Sequence, residues 1–147
     1  MKRTLTALAV LIALTASAYG AYRITLDPGG QIDQYHQRYT MLMDAGAKIE
    51  IDGLCISACT MILGLIPPEN VCVTERARLA FHSASNAFGQ PASEGTRLLW
   101  AIYPPKVREY LKQRGWNGDD KEKNEHPDLI YMELPELEQF YKRCRVD

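Results

Sequence analysis

Tyr22-Arg23-Ile24-Thr25-Leu26-Asp27-Pro28-Gly29-Gly30 decides how the chain is to be read. Its first five residues alternate and are rich in β-formers, which predicts a strand, and Asp-Pro-Gly-Gly ends that strand in a tight turn. Directly beyond it, Ile32, Tyr35, Tyr39, Leu42 and Met43 recur at the spacing of one apolar helix face. That helix should close near Asp44-Ala45-Gly46, where Gly46 can take the left-handed cap. A second strand, Lys48-Ile49-Glu50-Ile51, is expected to end at Asp52-Gly53. Leu54 to Leu65 reads as a buried turn and helix stopped by Pro67-Pro68, followed by short strands at Val71-Cys72-Val73-Thr74 and Leu79-Ala80-Phe81. Ser83 to Pro91 is a small polar loop. A helical stretch from Ser93 to Arg114 is interrupted at Pro104-Pro105, since a helix interior does not tolerate proline undisturbed. After the charged, turn-rich Gly115–Pro127, Leu129-Ile130-Tyr131-Met132 is a last strand and Pro135–Arg143 a last helix. Strands alternating with helices predict an α/β domain with a mostly parallel sheet flanked by helices.

The beginning of the chain has a different character. Lys2 and Arg3 precede an apolar run from Leu5 to Ala18, and small residues follow at Ala16-Ser17-Ala18 and Ala18-Tyr19-Gly20. These are the parts of a secretory signal peptide, and the run is shorter than the roughly 20 residues of a comfortable membrane span. Residues 1–20 are therefore expected to be a signal peptide, with an uncleaved anchor as the alternative, and 21–147 a single domain. The expected location is the bacterial periplasm or outside the cell; the alternative is an inner-membrane anchor facing the periplasm, the one case in which a membrane is a partner.

The 147 residues carry a formal charge of -1, 46% hydrophobic and 24% charged residues. That supports a packed core and argues against disorder, and it offers no basic excess for nucleic acid. Four cysteines, Cys55, Cys59, Cys72 and Cys144, lie in the exported part, where disulfides persist, and they allow three paired connectivities. Cys55 with Cys72 is the preferred pair, each lying at the edge of a predicted strand. A zinc site is disfavoured, because no Cys-x-x-Cys pair occurs and the three histidines are scattered.

In parallel sheets, ligands gather beyond the carboxyl ends of the strands. Gly29-Gly30, Ser57 and His82 all fall at such ends. Ser57, at the start of a helix, could simply cap it, or could be a nucleophile if a base stands beside it. His82 is the base best placed, since it leaves a strand, whereas His36 sits among glutamines on a solvated helix face and His126 in the charged loop. Gly29-Gly30 could be a turn only, or could present an N–H to an acyl oxygen with no side chain in the way.

These residues resemble the Clp protease/crotonase superfamily, and within it the exported Clp-protease-like proteins of bacteria. Leu26-Asp27-Pro28-Gly29-Gly30 is similar to that family's strand and Pro-Gly-Gly turn, Cys55-Ile56-Ser57-Ala58-Cys59-Thr60 to its nucleophile segment, and Arg78-Leu79-Ala80-Phe81-His82 to its histidine strand. The intervals, 57 − 30 = 27 and 82 − 57 = 25 residues, are close to those of the Clp proteases. The likeness is good over residues 22–90 and looser beyond.

The resemblance implies a peptidase-like serine hydrolase, with Ser57 as nucleophile, His82 as general base, and Gly30 and Ala58 as oxyanion donors. It implies no metal or cofactor, and a peptide or small acyl compound as substrate. It also implies an acid behind the histidine: Asp128 fits loosely, with Asp119, Asp120, Glu125 and Glu133 as rivals. One departure stands out. The family's strand-helix unit before the Pro-Gly-Gly strand is not found in this sequence, so the expectation is either a fold reduced on its N-terminal side or a truncated chain start, and in both cases an uncovered side of the sheet. A homo-oligomer remains compatible with this reading, a closed ring less so. The alternative function is a non-catalytic envelope or binding protein that keeps the fold.

Overall fold

The computed structural model describes residues 21–119 and 129–145. In chain order it contains β1 (Tyr22–Asp27), α1 (Ile32–Asp44), β2 (Ile49–Ile56), a 3-10 turn (Ser57–Met61), α2 (Ile62–Leu65), β3 (Val71–Val73), β4 (Arg78–Phe81), α3 (Ser93–Ile102), α4 (Pro105–Lys112), β5 (Ile130–Met132), a 3-10 turn (Glu136–Gln139) and β6 (Lys142–Arg143). It is an α/β fold with a mixed, mostly parallel sheet. The order is β5-β4-β2-β3-β6, with β1 against the other side of β2, and only β5 runs antiparallel.

The second strand does not stop at Asp52-Gly53, as that turn-like pair suggested. It runs on to Ile56, because Asp-Gly here makes a bulge: Ile24 pairs with Ile51, but Leu26 already pairs with Leu54. A Cβ on Gly53 would lie 1.8 Å from the Thr25 carbonyl oxygen, so no larger residue fits. The bulge divides β2 into two halves. Ile49–Ile51 pair with β3, and Leu54–Ile56 pair with β4 on the same side.

Asp52, 4% exposed, pins this division from the side. Thr74 Oγ1 donates to its Oδ1 at 2.7 Å, Arg76 Nη2 to its Oδ2 at 2.6 Å, and Arg23 stands 3.8 Å away. These contacts tie β1, β2 and the β3–β4 connection together. The hydrogen bonds from Thr74 and Arg76 hold its carboxyl below the usual carboxylate range.

Residues paired across strands share a face of the sheet. Cys55, Leu79 and Met132 form one such row and are fully buried. They meet Tyr35 and Tyr39 of α1, Leu99 of α3, and Val107 and Leu111 of α4 in a single core, each large apolar side chain adding about 1.5–3 kcal/mol by burial. Met43, expected on the buried face of α1, is exposed. The next rows, Leu26-Leu54-Arg78 and Ile56-Ala80-Tyr131, face the other way. Strand β1 has only β2 as a partner among the described residues, and its Leu26 is 69% exposed.

Two further expectations are corrected here. The C-terminal segment is not a helix over Pro135–Arg143. It forms one 3-10 turn and then the short strand β6, which pairs with β3. Cys55 does not join Cys72 either: the disulfides are Cys55–Cys59 and Cys72–Cys144. The register explains why, since Cys72 stands opposite Glu50 while Cys55 lies five residues farther along β2, about 16 Å away at strand rise. Cys72 instead faces Lys142, next but one to Cys144.

Two outcomes test this frame. Gly53→Ala should cost about 3 kcal/mol in denaturant unfolding, the upper end of overpacking penalties. Gly46→Ala, at φ 62 but with nothing within 4 Å of the new methyl, should cost only about 1 kcal/mol; equal losses would contradict the bulge. Because Asp52 titrates below its unfolded value, its contribution is fully present above about pH 4–5 and is lost as pH falls through the folded value. The stability gap between wild type and Asp52→Asn should therefore be constant near neutrality and close in acid, as read from chemical denaturation at a series of pH values.

Candidate functional site

Strands β1, β2 and β4 lie side by side and parallel, with β2 in the middle. Asp27 pairs with Cys55 and Ile56 with Ala80. Continuing those registers brings Gly29 level with Ser57, and His82 one step past the residue beside Ser57. Thus the Gly29-Gly30 turn, the Ser57-Ala58 turn and His82 leave the carboxyl ends of three neighbouring strands.

Ser57 has φ 57, the only positive φ of a non-glycine residue among those described. For such a residue the left-handed region costs about 1–2 kcal/mol, so the surroundings must impose it. They do so from several sides. The Cys55–Cys59 disulfide brackets Ser57. Thr60 Oγ1 donates to the Ser57 carbonyl at 2.6 Å and shares a 2.6 Å hydrogen bond with the Tyr103 hydroxyl. Tyr39 donates its hydroxyl to the Cys59 carbonyl at 2.8 Å. Burial pushes the Tyr39 and Tyr103 phenols well above their ordinary value, so both stay neutral. The N-cap position of the following turn belongs to Ile56, not to Ser57. Only a five-residue 3-10 turn and a four-residue α2 follow, which is too little helix for a macrodipole; individual N–H groups matter instead. Ala58, near the start of that turn, carries one of its orphan donors.

The glycine turn comes in contact with this segment. Gly29 has φ 81, and a Cβ there would stand 2.5 Å from the Ile56 carbonyl oxygen, 2.8 Å from Ser57 Cβ and 3.1 Å from the Ala58 nitrogen. Its N–H donates to Asp27 Oδ1 at 2.9 Å. The same oxygen accepts the Tyr35 hydroxyl, and Arg38 Nη1 lies 3.6 Å from Oδ2. Burial and then the Asp27 hydrogen bond push the Tyr35 phenol up to about 12. Among the described residues, neither the Gly30 nor the Ala58 N–H is paired with an acceptor.

His82 is half-buried, and its Nδ1 lies 2.7 Å from the Ser83 carbonyl oxygen. The loop after it is closed rather than loose. Ala84 N–H donates to Thr96 Oγ1, Ala92 N–H to the Ala84 carbonyl, and Ser85 bridges Pro91. Asn86 Oδ1 accepts the N–H groups of Phe88 and Gln90, which leaves Phe88 at the tip, 88% exposed. A Cβ on Gly95 would meet Ala84 Cβ at 2.9 Å and Ile32 Cδ1 at 3.1 Å. The start of α3 therefore seals the loop against the start of α1. In the Trp100–Tyr103 region, Trp100 meets Trp116 edge-on at 5.5 Å, and Tyr103 meets Phe81 at 5.4 Å.

Asp128, Asp120 and Glu125 lie outside the described residues, as does His126. Glu133 is engaged with Arg78, at the far end of β4 from His82. His36 is exposed on α1, as expected. No group of three or more His, Cys, Asp or Glu side chains is arranged to hold a metal among the described residues, and no helix among them is long and apolar enough to cross a membrane.

Several residues at the site escaped sequence reasoning. Tyr35 and Tyr39 were legible as core positions, but not as the phenols that hold the glycine and serine turns. Asp27 and Thr60 looked like ordinary turn residues. The one available signal was the i, i+4 tyrosine pair on a helix that begins just after the turn.

Compared with protein-family models, curated proteins and solved structures, the chain finds no match. The likeness to Clp proteases thus rests on the motifs in the chain itself.

The two disulfides should separate by function. Closing 72 residues, Cys72–Cys144 should contribute about 4 kcal/mol by chain entropy, against about 2 for Cys55–Cys59 with its separation of four. Non-reducing peptide mapping should recover these two pairs. Cys72→Ser/Cys144→Ser should then lower the melting temperature more than Cys55→Ser/Cys59→Ser does; the reverse order would contradict the assignment.

Proposed function

We propose that this protein is an exported serine hydrolase, peptidase-like, on a Clp protease/crotonase-like fold. The observation that carries the reading is Ser57. Among the described residues it is the one non-glycine held in a left-handed conformation, and it stands between a glycine turn packed too closely to carry a side chain and a histidine leaving the next strand. Strain at a half-buried strand-to-helix turn is a way to present a nucleophile.

In the proposed reaction, Ser57 Oγ attacks the acyl carbon while His82 takes its proton. The Gly30 and Ala58 N–H groups hold the resulting oxyanion. His82 then returns the proton to the leaving amine or alcohol, and a water activated by the same imidazole hydrolyses the acyl-enzyme. The Asp27 carboxylate supports this division of labour: it occupies the Gly29 N–H and leaves that of Gly30 for the substrate. The Ser83 carbonyl supports it too. An Nδ1–H donated there selects the tautomer whose lone pair is on Nε2. Asp128 is proposed as a further orienting acid on the resemblance alone. Export is supported by all four cysteines being paired. The substrate is a peptide or small acyl compound, and no cofactor enters the steps.

A fluorophosphonate probe applied to the folded, oxidised protein tests this directly. Wild type should be labelled and Ser57→Ala should not. His82→Ala should label more slowly by about 10²–10⁴, the usual contribution of a general base. Folded wild type that stays unlabelled would sink the hydrolase and leave a non-catalytic envelope or binding protein with this fold.

A further inference from the structure

We propose that Asp27, Tyr35 and Arg38 form a positioning device for the Gly29-Gly30 turn, aiming the Gly30 N–H at the reacting carbonyl. This rests on the reading of Ser57 as the nucleophile. Two consecutive glycines are the most permissive backbone a protein can place beside a site, yet an oxyanion donor must be preorganised, to within about 0.5 Å. Something outside the glycines has to remove their freedom.

The three side chains do this in a chain of contacts. Asp27 Oδ1 accepts the Gly29 N–H at 2.9 Å, closing an Asx-type turn across Pro28. Tyr35 acts twice: its hydroxyl donates to that same oxygen, and its ring edge, at Cε2, lies 3.3 Å from where a Gly30 Cβ would be. One tyrosine therefore bears on both glycines: it holds the first through the carboxylate, and its ring borders the space beside the second. Arg38, one helical turn on, stacks 4.5 Å above the Tyr35 ring and stands 3.6 Å from Asp27 Oδ2, so the ring and the carboxylate are held against rotation together.

A purely structural role would be met more simply. The Asp-Pro-Gly-Gly turn forms from its own residues, and α1 packs through Tyr39 and the apolar part of Tyr35. What the polar contacts add is direction. A Cβ on Gly29 would stand 2.8 Å from Ser57 Cβ and 3.1 Å from the Ala58 nitrogen, so the turn lies against both, and a shift of it changes its position relative to the nucleophile and to the second oxyanion donor.

The full chain in its oxidised form is tested with three variants, Tyr35→Phe, Asp27→Asn and Asp27→Ala. Three readouts are needed: ester hydrolysis, inhibition by a phenylboronic acid, and amide hydrogen exchange at Gly29 by NMR. Losing an oxyanion donor outright costs about 10²–10³ in kcat. Misdirecting one should give about tenfold for Tyr35→Phe and about a hundredfold for Asp27→Ala, with KM within about twofold. Asp27→Asn should fall between them, because an amide oxygen still accepts from Gly29. The boronate, whose tetrahedral adduct needs the same donors, should weaken by the same factors, and the Gly29 amide should exchange faster in Asp27→Ala. Unchanged kcat and boronate affinity in Tyr35→Phe and Asp27→Ala would overturn the proposal even in an active enzyme. Wild type that neither hydrolyses nor reacts with fluorophosphonate would remove the nucleophile instead. In that case an unchanged Gly29 exchange rate in Asp27→Ala overturns the positioning device independently, and a faster one retains its structural half.

Discussion

Strand β2 has to satisfy three neighbours with eight residues, and it does so by breaking its own regularity at Asp52-Gly53. A straight strand offers one edge to one partner. The extra residue opposite Thr25 bends β2, so that its first half carries β3 and its second half β4. Only glycine can stand at the bend, because the Thr25 carbonyl occupies the space of a side chain. Asp52 closes the arrangement by drawing Arg23, Thr74 and Arg76 onto one carboxylate. Without this bend, β4 would not reach β2 beside Ser57, and His82 would end elsewhere.

The site then depends on two turns whose conformations oppose local preference. Ser57 adopts a region that disfavours a side chain, and Gly29 packs so closely that it cannot carry one. Each is held by polar groups from α1: Tyr39 on the Cys59 carbonyl, and Tyr35 on Asp27. A single helix, two of whose tyrosines are one turn apart, thereby sets the relation between the two turns. This links packing to chemistry, since the faces of Tyr35 and Tyr39 that fill the core also place their hydroxyls.

Much of this was legible along the chain. Alternation, helical spacing and Pro/Gly stops gave β1, α1, β3, β4 and the break between α3 and α4, and placed Gly29-Gly30, Ser57 and His82 at strand ends. What was not legible has a common cause. Asp-Gly is a turn signal locally, and only the pairing of β1 makes it a bulge. Pro135–Arg143 has a helical pattern, but Cys144 is tied to Cys72, and the pairing with β3 decides for strand. The disulfides themselves depend on register, which spacing does not specify. The partners of Gly29 and Ser57 come from α1 in three dimensions and have no signature in the motifs they serve.

On the proposed reading, the Ser83 carbonyl bears on how fast the site can work. An acid behind a catalytic histidine does two things: it selects the tautomer with a free electron pair on Nε2, and it stabilises the imidazolium formed in the transition state. A backbone carbonyl 2.7 Å from Nδ1 does the first as well as a carboxylate. It does the second less well, because it brings a dipole rather than a full charge. A wrong tautomer is the costlier defect, so the larger part of the acid's work is already done by a group that no side-chain substitution removes. On that reading the Ser57–His82 pair already has the tautomer it needs, and an orienting carboxylate such as the proposed Asp128 would raise the rate without creating the activity.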